Sequence, residues 1–479
     1  MTILEKFDVT CDVICVGGGL AGLAAASRAA QLGLKAVVLE RGGDELYACN
    51  SRYAGGVMHV SYNNPKSPPD VLTAAMTEIS GGHADAALVN AIATQAGRAV
   101  EWLRDEGARF ARAGDIGWRQ WILAPLRPAV TQMEWKGRGA DVALRTLEKN
   151  LRERGGILHR GTHVVDLIFE NGCCAGVKAR QADVEKVFCA PAIVLADGGF
   201  QGNAVMAGEY LTPDPQRVKQ RGAGTGLGDG LRMARAAGAA VSTLDAFYGH
   251  VLSCDAMHND RVWPYPQLDE LAAAGLLVNR QGRRIADEGM GGVYLANLIA
   301  RQPDPLGTFV VFDEAIWQGP GRAAAIPPNP TLLGAGGTLH KADTLDQLAA
   351  LMGVDAHGLA ATVREYNEAL TSSATSTLQP PRSARRRTPF PFARAPFYGA
   401  PACSGLTYTM GGIRINGNAE VLRADGTVIR GLYAAGATTG GLEGGPAVGY
   451  VGGLIKALTF GLLAAEHAVR VQENLSKGI

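Results

Sequence analysis

Residues 12–16 are apolar and β-branched. They run directly into GGGLAG and then LAAASRAAQLG, a strongly helix-forming stretch. AVVLE at 36–40 is a second short apolar run of the buried-strand type. Strand, glycine turn, helix and strand in this order predict a βαβ unit at the start of an α/β domain. From 69 to 112 helical spacing dominates, interrupted at 81–83, and the Trp-rich stretch 118–135 is irregular. GADVALRTLEKNLRERGG at 139–156 reads as an amphipathic helix with a glycine stop. Strand patterns return in HVVDLIFE, AGVKAR and PAIVLADGG.

Between about 240 and 370 the texture changes to aromatic and Pro-rich loops, followed by one helical run, LAALMGVDAHGLAATVREYNEAL. A separate capping domain is expected over 240–390. Its last part, 371–396, is rich in Ser, Thr, Pro and Arg and reads as a long surface loop. The run Arg385 to Arg387 reads as a solvated charge cluster, with an acidic partner as the alternative. Then α/β texture resumes, with GLYAAGATTGG at 431–441 as strand and turn and VGGLIKALTFGLLAAEHAV as a long apolar helix. The chain is therefore expected to build its first domain from both ends, 1–239 and 391–479.

Composition narrows the function. With 479 residues, 47% of them hydrophobic and 19% charged, the chain can fill two or three domain cores. Its 46 basic and 45 acidic residues nearly cancel, which argues for a small-molecule role over a nucleic acid or an anionic membrane surface. The eight cysteines form no CxxC pair and no haem or iron–sulfur spacing, so they read as reduced, mostly buried thiols. MTILEKFDVT lacks the apolar run of a signal peptide, and no membrane-length apolar stretch follows, so the expected compartment is the cytoplasm.

The glycine turn has the spacing Gly17-x-Gly19-x-x-Gly22. A pyrophosphate needs bare backbone N–H groups and the positive end of a helix dipole. Gly17 permits the tight turn, Gly19 removes the Cβ that would keep phosphates away, and Gly22 lets the helix pack on the strand. Glu40, at the end of the second strand, stands where a carboxylate accepts from a ribose diol. NAD and FAD both use this arrangement, so the loop alone does not choose between them.

Five further segments decide. NSRYAGGV at 50–57, VLADGGFQGN at 194–203, GTGLGDGLRMARAAGA at 224–239, LLVNRQGRRIADEG at 276–289 and YTMGGIRIN at 408–416 precede GLYAAGATTGG in the order of a known group. The chain resembles the fumarate reductase, 3-ketosteroid dehydrogenase and tricarballylate dehydrogenase flavoproteins along nearly its whole length. The resemblance implies one FAD in a discontinuous Rossmann-type domain, beneath an α+β domain that caps the substrate. It also implies contacts to the cofactor from Gly17, Gly19, Leu20, Ala21, Gly22, Glu40 and Arg41, and from Asn50, Ser51, Gly55 and Gly56. Val164, Ala196, Asp197, Gly198, Asn203, Asp229, Gly412, Gly436, Gly441, Ala447 and Val448 complete the implied cradle. Two departures alter its hydrogen bonding: Asp197 stands where the group has Thr, and Ala437 where it has Glu. Relatives with covalent flavin carry a His just before the flavin-contacting glycines, where this chain has Asn50-Ser51-Arg52-Tyr53, so non-covalent FAD is expected.

Enzymes of this group exchange a hydride between flavin N5 and a carbon β to a carbonyl or carboxylate, while a second group moves the α proton. His250 aligns with a substrate-binding His of the fumarate reductases. Tyr408 takes the place of a second one, able to donate to a carbonyl or to move the proton. Packed, satisfied side chains are the alternative reading of both. The proton-donating and carboxylate-clamping arginines of the fumarate reductases fall on Gly292 and Ala447, so both are missing. Their loss argues against a C4 dicarboxylate. Ketosteroid-type desaturases use tyrosines, which makes Tyr294 a third candidate, with Tyr53 and Tyr450 weaker ones, and backbone N–H groups of 444–449 as donors to a ketone.

The leading expectation is an enzyme that desaturates or reduces a carbon–carbon bond beside a carbonyl, in a keto or mono-acid small molecule, with an unknown electron acceptor. A polycarboxylate oxidase clamped by Arg52, Arg221 or Arg261 is the second reading. A flavoprotein subunit passing electrons to a partner is the third.

Overall fold

The computed structural model describes residues 8–128, 131–182, 184–323 and 329–476. Residues 1–7, from which the absence of a leader was read, and 129–130 within the Trp-rich stretch lie outside the described residues.

The four-residue strands Val13–Val16, Ala36–Leu39 and Ala192–Leu195 are buried at every position. Such uninterrupted apolar runs suit a parallel sheet covered on both faces. Five of the six strands in this sheet run parallel, in the order Val428–Ala434, Ala192–Leu195, Val13–Val16, Ala36–Leu39 and Ile157–His159, with Glu420–Leu422 antiparallel at one edge. The placement of Val428–Ala434 beside Ala192–Leu195 joins the two ends of the chain in one Rossmann-type α/β domain. Helix Leu20–Gln31 packs between the carboxyl-terminal helix Gly453–Ser476 and the helix Gly139–Glu153. Alanines and glycines on the first helix permit that close packing.

A second sheet takes Val9–Thr10, Val184–Cys189, Cys173–Gln181 and Thr162–Glu170 in that order. The strand Val184–Cys189 escaped the sequence pattern because its first half is exposed and polar. The third sheet is centred on the long strand Phe397–Thr409. It pairs with Lys219–Gln220, Phe247–Ser253, Thr308–Asp313 and His340–Ala342, and Leu276–Asn279 continues beyond Thr308–Asp313. This sheet draws strands from as early as 219 and as late as 409.

Two expectations need correction. The single helical run after 345 is two helices, Leu345–Met352 and Ala356–Thr371. Gly353 ends the first at φ +66°, and the Asp355 carboxylate starts the second by accepting from the Gly358 N–H at 2.7 Å. The segment 371–396 is also not simply a solvated loop. Arg382 is fully buried, donating to the Ala273 carbonyl at 2.7 Å, while Arg387 pairs with Glu270 and Arg385 donates to the Glu78 carbonyl. The arginines therefore tie the segment down instead of only solvating it.

The short helix Asn50–Tyr53 is pinned from beneath. Arg52 is completely buried, pairs with Asp141 of Gly139–Glu153, and lies over the Tyr47 ring. Asp141 also accepts from the Gly137 N–H at 2.8 Å. Removing one partner of a buried pair strands the other charge, at a cost of about 3–5 kcal/mol. Asp141→Ala is therefore expected to lower unfolding free energy by about that much in urea titration. A loss under about 1 kcal/mol would show that Arg52 finds another anchor.

Candidate functional site

A cleft opens where the parallel strands end, lined by the residues that follow each of them: 17–21, 40–42 and 196–198. Gly17 turns the chain at φ +102°, and a Cβ there would lie 2.6 Å from the Ala196 carbonyl oxygen. Gly22 does not line the cleft; a Cβ on it would sit 2.0 Å from the Gly17 oxygen, so its absence is what seats the helix on the turn. Gly19 caps Leu20–Gln31 without a side-chain acceptor, and the first turn holds no acidic residue. The positive helix end thus faces the cleft with no acidic residue in its own first turn. Around it, Glu40 accepts from the Gly18 N–H at 2.7 Å and the Gly42 N–H at 2.6 Å, and Ser51 Oγ accepts from the Leu20 N–H at 3.0 Å.

Along the same wall, Val164 lines the cleft beside His163, whose Nε2 lies 3.0 Å from Asp229. Arg41 donates to the Thr225 carbonyl at 2.5 Å and reaches within 3.6 Å of Asp229. Asp197, in place of the expected Thr, accepts from the Gly230 N–H at 2.8 Å, and burial pushes its carboxyl up to about 6. Gln201 lines the wall with its Oε1 buried and without a hydrogen-bond partner. A helix N-terminus at a glycine turn, a carboxylate at the second strand and an orphaned amide oxygen fit a dinucleotide lying across the sheet.

The structure gathers Gly17, Gly19, Leu20, Ala21, Glu40, Arg41, Asn50, Ser51, Val164, Ala196, Asp197, Gly198, Asp229 and Gly436 on this wall. It places others elsewhere. Asn203 caps the helix Ala204–Tyr210 and donates to the Leu227 carbonyl at 3.0 Å. The Gly412 N–H goes to Ser242 at 3.1 Å, and the Gly441 carbonyl accepts from the Asp85 N–H at 2.7 Å. Gly56 bonds Leu123, Gly55 lies near Arg127, and Ala447 lines a second cavity with Tyr294 and Asp287.

Past Ala437, which ends the wall of the cleft, lies a buried aromatic cluster. Tyr248 stacks on Tyr450 at 4.0 Å between ring centres and faces Tyr408 at 5.4 Å, with Val448 and Tyr294 packed alongside. His250 sits between two partners: its Nδ1 lies 2.5 Å from Asp269 and its Nε2 2.9 Å from the Tyr248 hydroxyl. Asp269 accepts with its other oxygen from the Val251 N–H at 2.7 Å. The Tyr408 hydroxyl donates to Glu443 at 3.0 Å, and Lys456 reaches the same carboxylate at 2.6 Å. Burial and then Glu443 hold the Tyr408 phenol well above its ordinary range, and burial keeps His250 below the usual histidine value.

Residues 12–449 match a family model described as FAD binding domain. The chain belongs to this family. It is 26% identical to a fumarate reductase (cytochrome) from Shewanella frigidimarina over 97% of this chain and 78% of that protein. It is 29% identical to an NADH:acrylate oxidoreductase from Vibrio harveyi over 80% of this chain, spanning only 36% of that relative's length. A 3-ketosteroid-Δ4-(5α)-dehydrogenase from Rhodococcus jostii RHA1 shares the fold at a TM-score of 0.73 and 23% identity, covering 97% of this chain and 98% of the other. The protein is an FAD-dependent oxidoreductase acting on carbon–carbon bonds.

Of the three arginines considered as clamps in this flavoprotein, Arg52 is spent on Asp141 and Arg261 is exposed, donating to the Gly334 carbonyl. Only Arg221 is buried near the aromatic cluster. The sequence reading missed Tyr248 and Asp269. Tyr248 is two residues before His250 in a strand, the spacing that shares a face, and that signal was available. Asp269 carried none. No described helix is long and apolar enough to cross a membrane.

Asp197, next to Gly17, is expected to make cofactor retention sensitive to pH. Below about 6 its carboxyl is neutral and would not repel a phosphate held at the glycine turn; above, it is charged. FAD is therefore expected to bind the apoprotein several-fold more tightly at pH 5 than at pH 7.5, and Asp197→Asn should flatten the profile. Flavin fluorescence titration measures both, and a flat wild-type profile would remove Asp197 from phosphate binding.

Proposed function

We propose that this flavoprotein desaturates, or in reverse reduces, a carbon–carbon bond beside a carbonyl in a keto or mono-acid compound, with Asp269, His250 and Tyr248 moving the α proton. The half-buried, hydrogen-bonded chain Asp269–His250–Tyr248, next to the wall of the cleft, carries this reading. FAD, when bound, supplies the acceptor or donor of the hydride. Non-covalent attachment fits Asn50, whose amide is engaged with the Thr407 carbonyl at 2.9 Å and whose Oδ1 accepts from the Ala223 N–H. Acid precipitation should release all the flavin to the supernatant.

The roles follow from hydrogen-bond capacity. An ionised Asp269 only accepts, so His250 carries its proton on Nδ1 and presents the Nε2 lone pair to Tyr248. Tyr248 then donates to His250, and its oxygen keeps lone pairs free. As that oxygen takes an α proton, its own proton passes to His250, and Asp269 stabilises the imidazolium. Burial raises the Tyr248 phenol to about 12, while Arg221 opposes the rise. Tyr408 is held as a neutral phenol by Glu443, which leaves it a positioning group instead of the base. Tyr294 packs beside the cluster but lines the second cavity.

Tyr248→Phe and Asp269→Asn are each expected to lower kcat by about 10²–10⁴-fold with flavin content unchanged. Because His250 must be neutral to accept and its pKa is depressed, the acid limb of the desaturation profile should lie below pH 6.5. Near-wild-type turnover in Asp269→Asn would sink the relay. Anaerobic mixing with cyclic enones and saturated ketones should perturb the flavin absorption band, and a response to dicarboxylates alone would overturn the substrate class.

A further inference from the structure

Beside the relay lie two arginines that no carboxylate among the described residues pairs with. Arg221 is 8% exposed, and its Nε is buried without a hydrogen-bond partner. Its one side-chain bond is from Nη1 to Thr407 Oγ1, at 3.0 Å. Arg127 is half-buried and spends its guanidinium on neutral groups, the Tyr53 carbonyl at 2.8 Å and the Tyr265 hydroxyl at 2.8 Å. Among the described residues neither has an acidic group within ion-pair distance. Asp269 is the acidic group whose field reaches Arg221, but its two oxygens are engaged with His250 and the Val251 N–H. Burying a guanidinium without an anion is costly, and the cost is not offset within the protein.

The position is suited to a ligand. Arg221 Cδ would lie 3.2 Å from a Cβ on Gly405, the residue directly opposite His250 in the sheet, so the missing side chain makes room for the guanidinium on the histidine's face. Arg127 lies within electrostatic reach of Arg221 and repels it, with Nη2 3.7 Å from where a Gly55 Cβ would be. Their neighbours are Tyr248 and Tyr265, phenols in place of carboxylates.

We propose that Arg221, supported by Arg127, forms a carboxylate subsite, so that the substrate is a keto acid with a single carboxylate held away from the reacting bond. The inference rests on the keto or mono-acid reading above and deepens it. One guanidinium presenting Nε and Nη edges takes one carboxylate as a fork. With one buried cation here, and no arginine at positions 292 and 447, a second carboxylate has no partner of the same kind.

The test compares 4-oxocyclohexanecarboxylate with its methyl ester, and benzoate as a carboxylate without the ketone, by anaerobic titration of the flavin band in the holoenzyme. The acid is expected to bind at least 10-fold more tightly than the ester. Arg221→Gln should erase that preference while leaving the ester's affinity and the Tm close to wild type, and Arg221→Lys should restore part of it. Arg127→Gln, expected to weaken the preference less, serves as the second variant if Arg221→Gln does not fold. Equal binding of acid and ester in the wild type, or a preference that survives both substitutions, overturns the subsite while the keto reading stands. Binding of benzoate through Arg221 with no response to either ketone supports the subsite and overturns the keto reading. No response to any of the three removes both.

Discussion

Along Phe397–Thr409 the backbone pairs with Thr308–Asp313 over its first half and with Phe247–Ser253 over its second. In the second pairing the register shifts: Tyr248 opposes Tyr408, but Gly249 opposes Leu406, so Thr407 is left as the extra residue of a bulge. A bulge bends the strand and re-aims what it carries. Here the freed Thr407 accepts from Asn50 with its carbonyl and from Arg221 with its hydroxyl. One displaced residue therefore holds together the segment beside the cofactor cleft and the buried arginine, while its neighbours bring Tyr248 and Tyr408 face to face. A strand of regular register would turn one of these sets to the opposite side of the sheet.

The second constraint is the number of charges the fold buries around that bulge. Arg52 with Asp141, Lys456 with Glu443, and Arg284 with Glu288 are each almost completely shielded from water. Glu443 accepts from Tyr408, Lys456 and the N–H groups of Val451 and Gly452, so its lone pairs are used. Charge-paired networks of this kind specify one arrangement, because any displacement leaves a charge without a partner. Arg52 with Asp141 joins elements distant in sequence, and the other two networks reach as far, Arg284 to the Pro380 carbonyl and Glu443 to Tyr408. Arg221 departs from this pattern, and the departure is what marks it as a binding group instead of a brace.

Much of the fold was legible in the chain. The apolar runs at 13–16, 36–39 and 192–195 are buried parallel strands, and the glycines between the first strand and helix form the turn their spacing requires. These features are local, so a pattern within about 30 residues captures them. The break at Gly353 was visible as a glycine followed by an aspartate, but the surrounding helical residues outweighed it. The arginines of 385–387 looked solvated because their partners, Glu270 and the Glu78 carbonyl, come from far away in the chain. The same holds for the relay. His250 was found, Tyr248 beside it was readable from strand alternation, and Asp269 was not, since only the folded sheet brings its carboxylate to the imidazole.

Gly292 shows how a missing side chain takes part in that placement. A Cβ on Gly292 would lie 2.1 Å from the Cγ of Asp269, so any larger residue there would expel the carboxylate from its position against His250. Position 292 is where the resemblance to the fumarate reductases places a proton-donating arginine, and an arginine cannot coexist with Asp269 as it stands. The two solutions exclude one another by volume before any question of pKa arises. The loss of the arginine is thus coupled to the presence of the Asp269–His250–Tyr248 chain, and restoring an arginine at 292 would remove the support of the histidine in the same step. The proposed substrate charge is consistent with the same geometry. With the cationic proton donor replaced by a neutral phenol and imidazole, the remaining buried cation, Arg221, lies on the His250 face, where it can neutralise one carboxylate without competing for the proton.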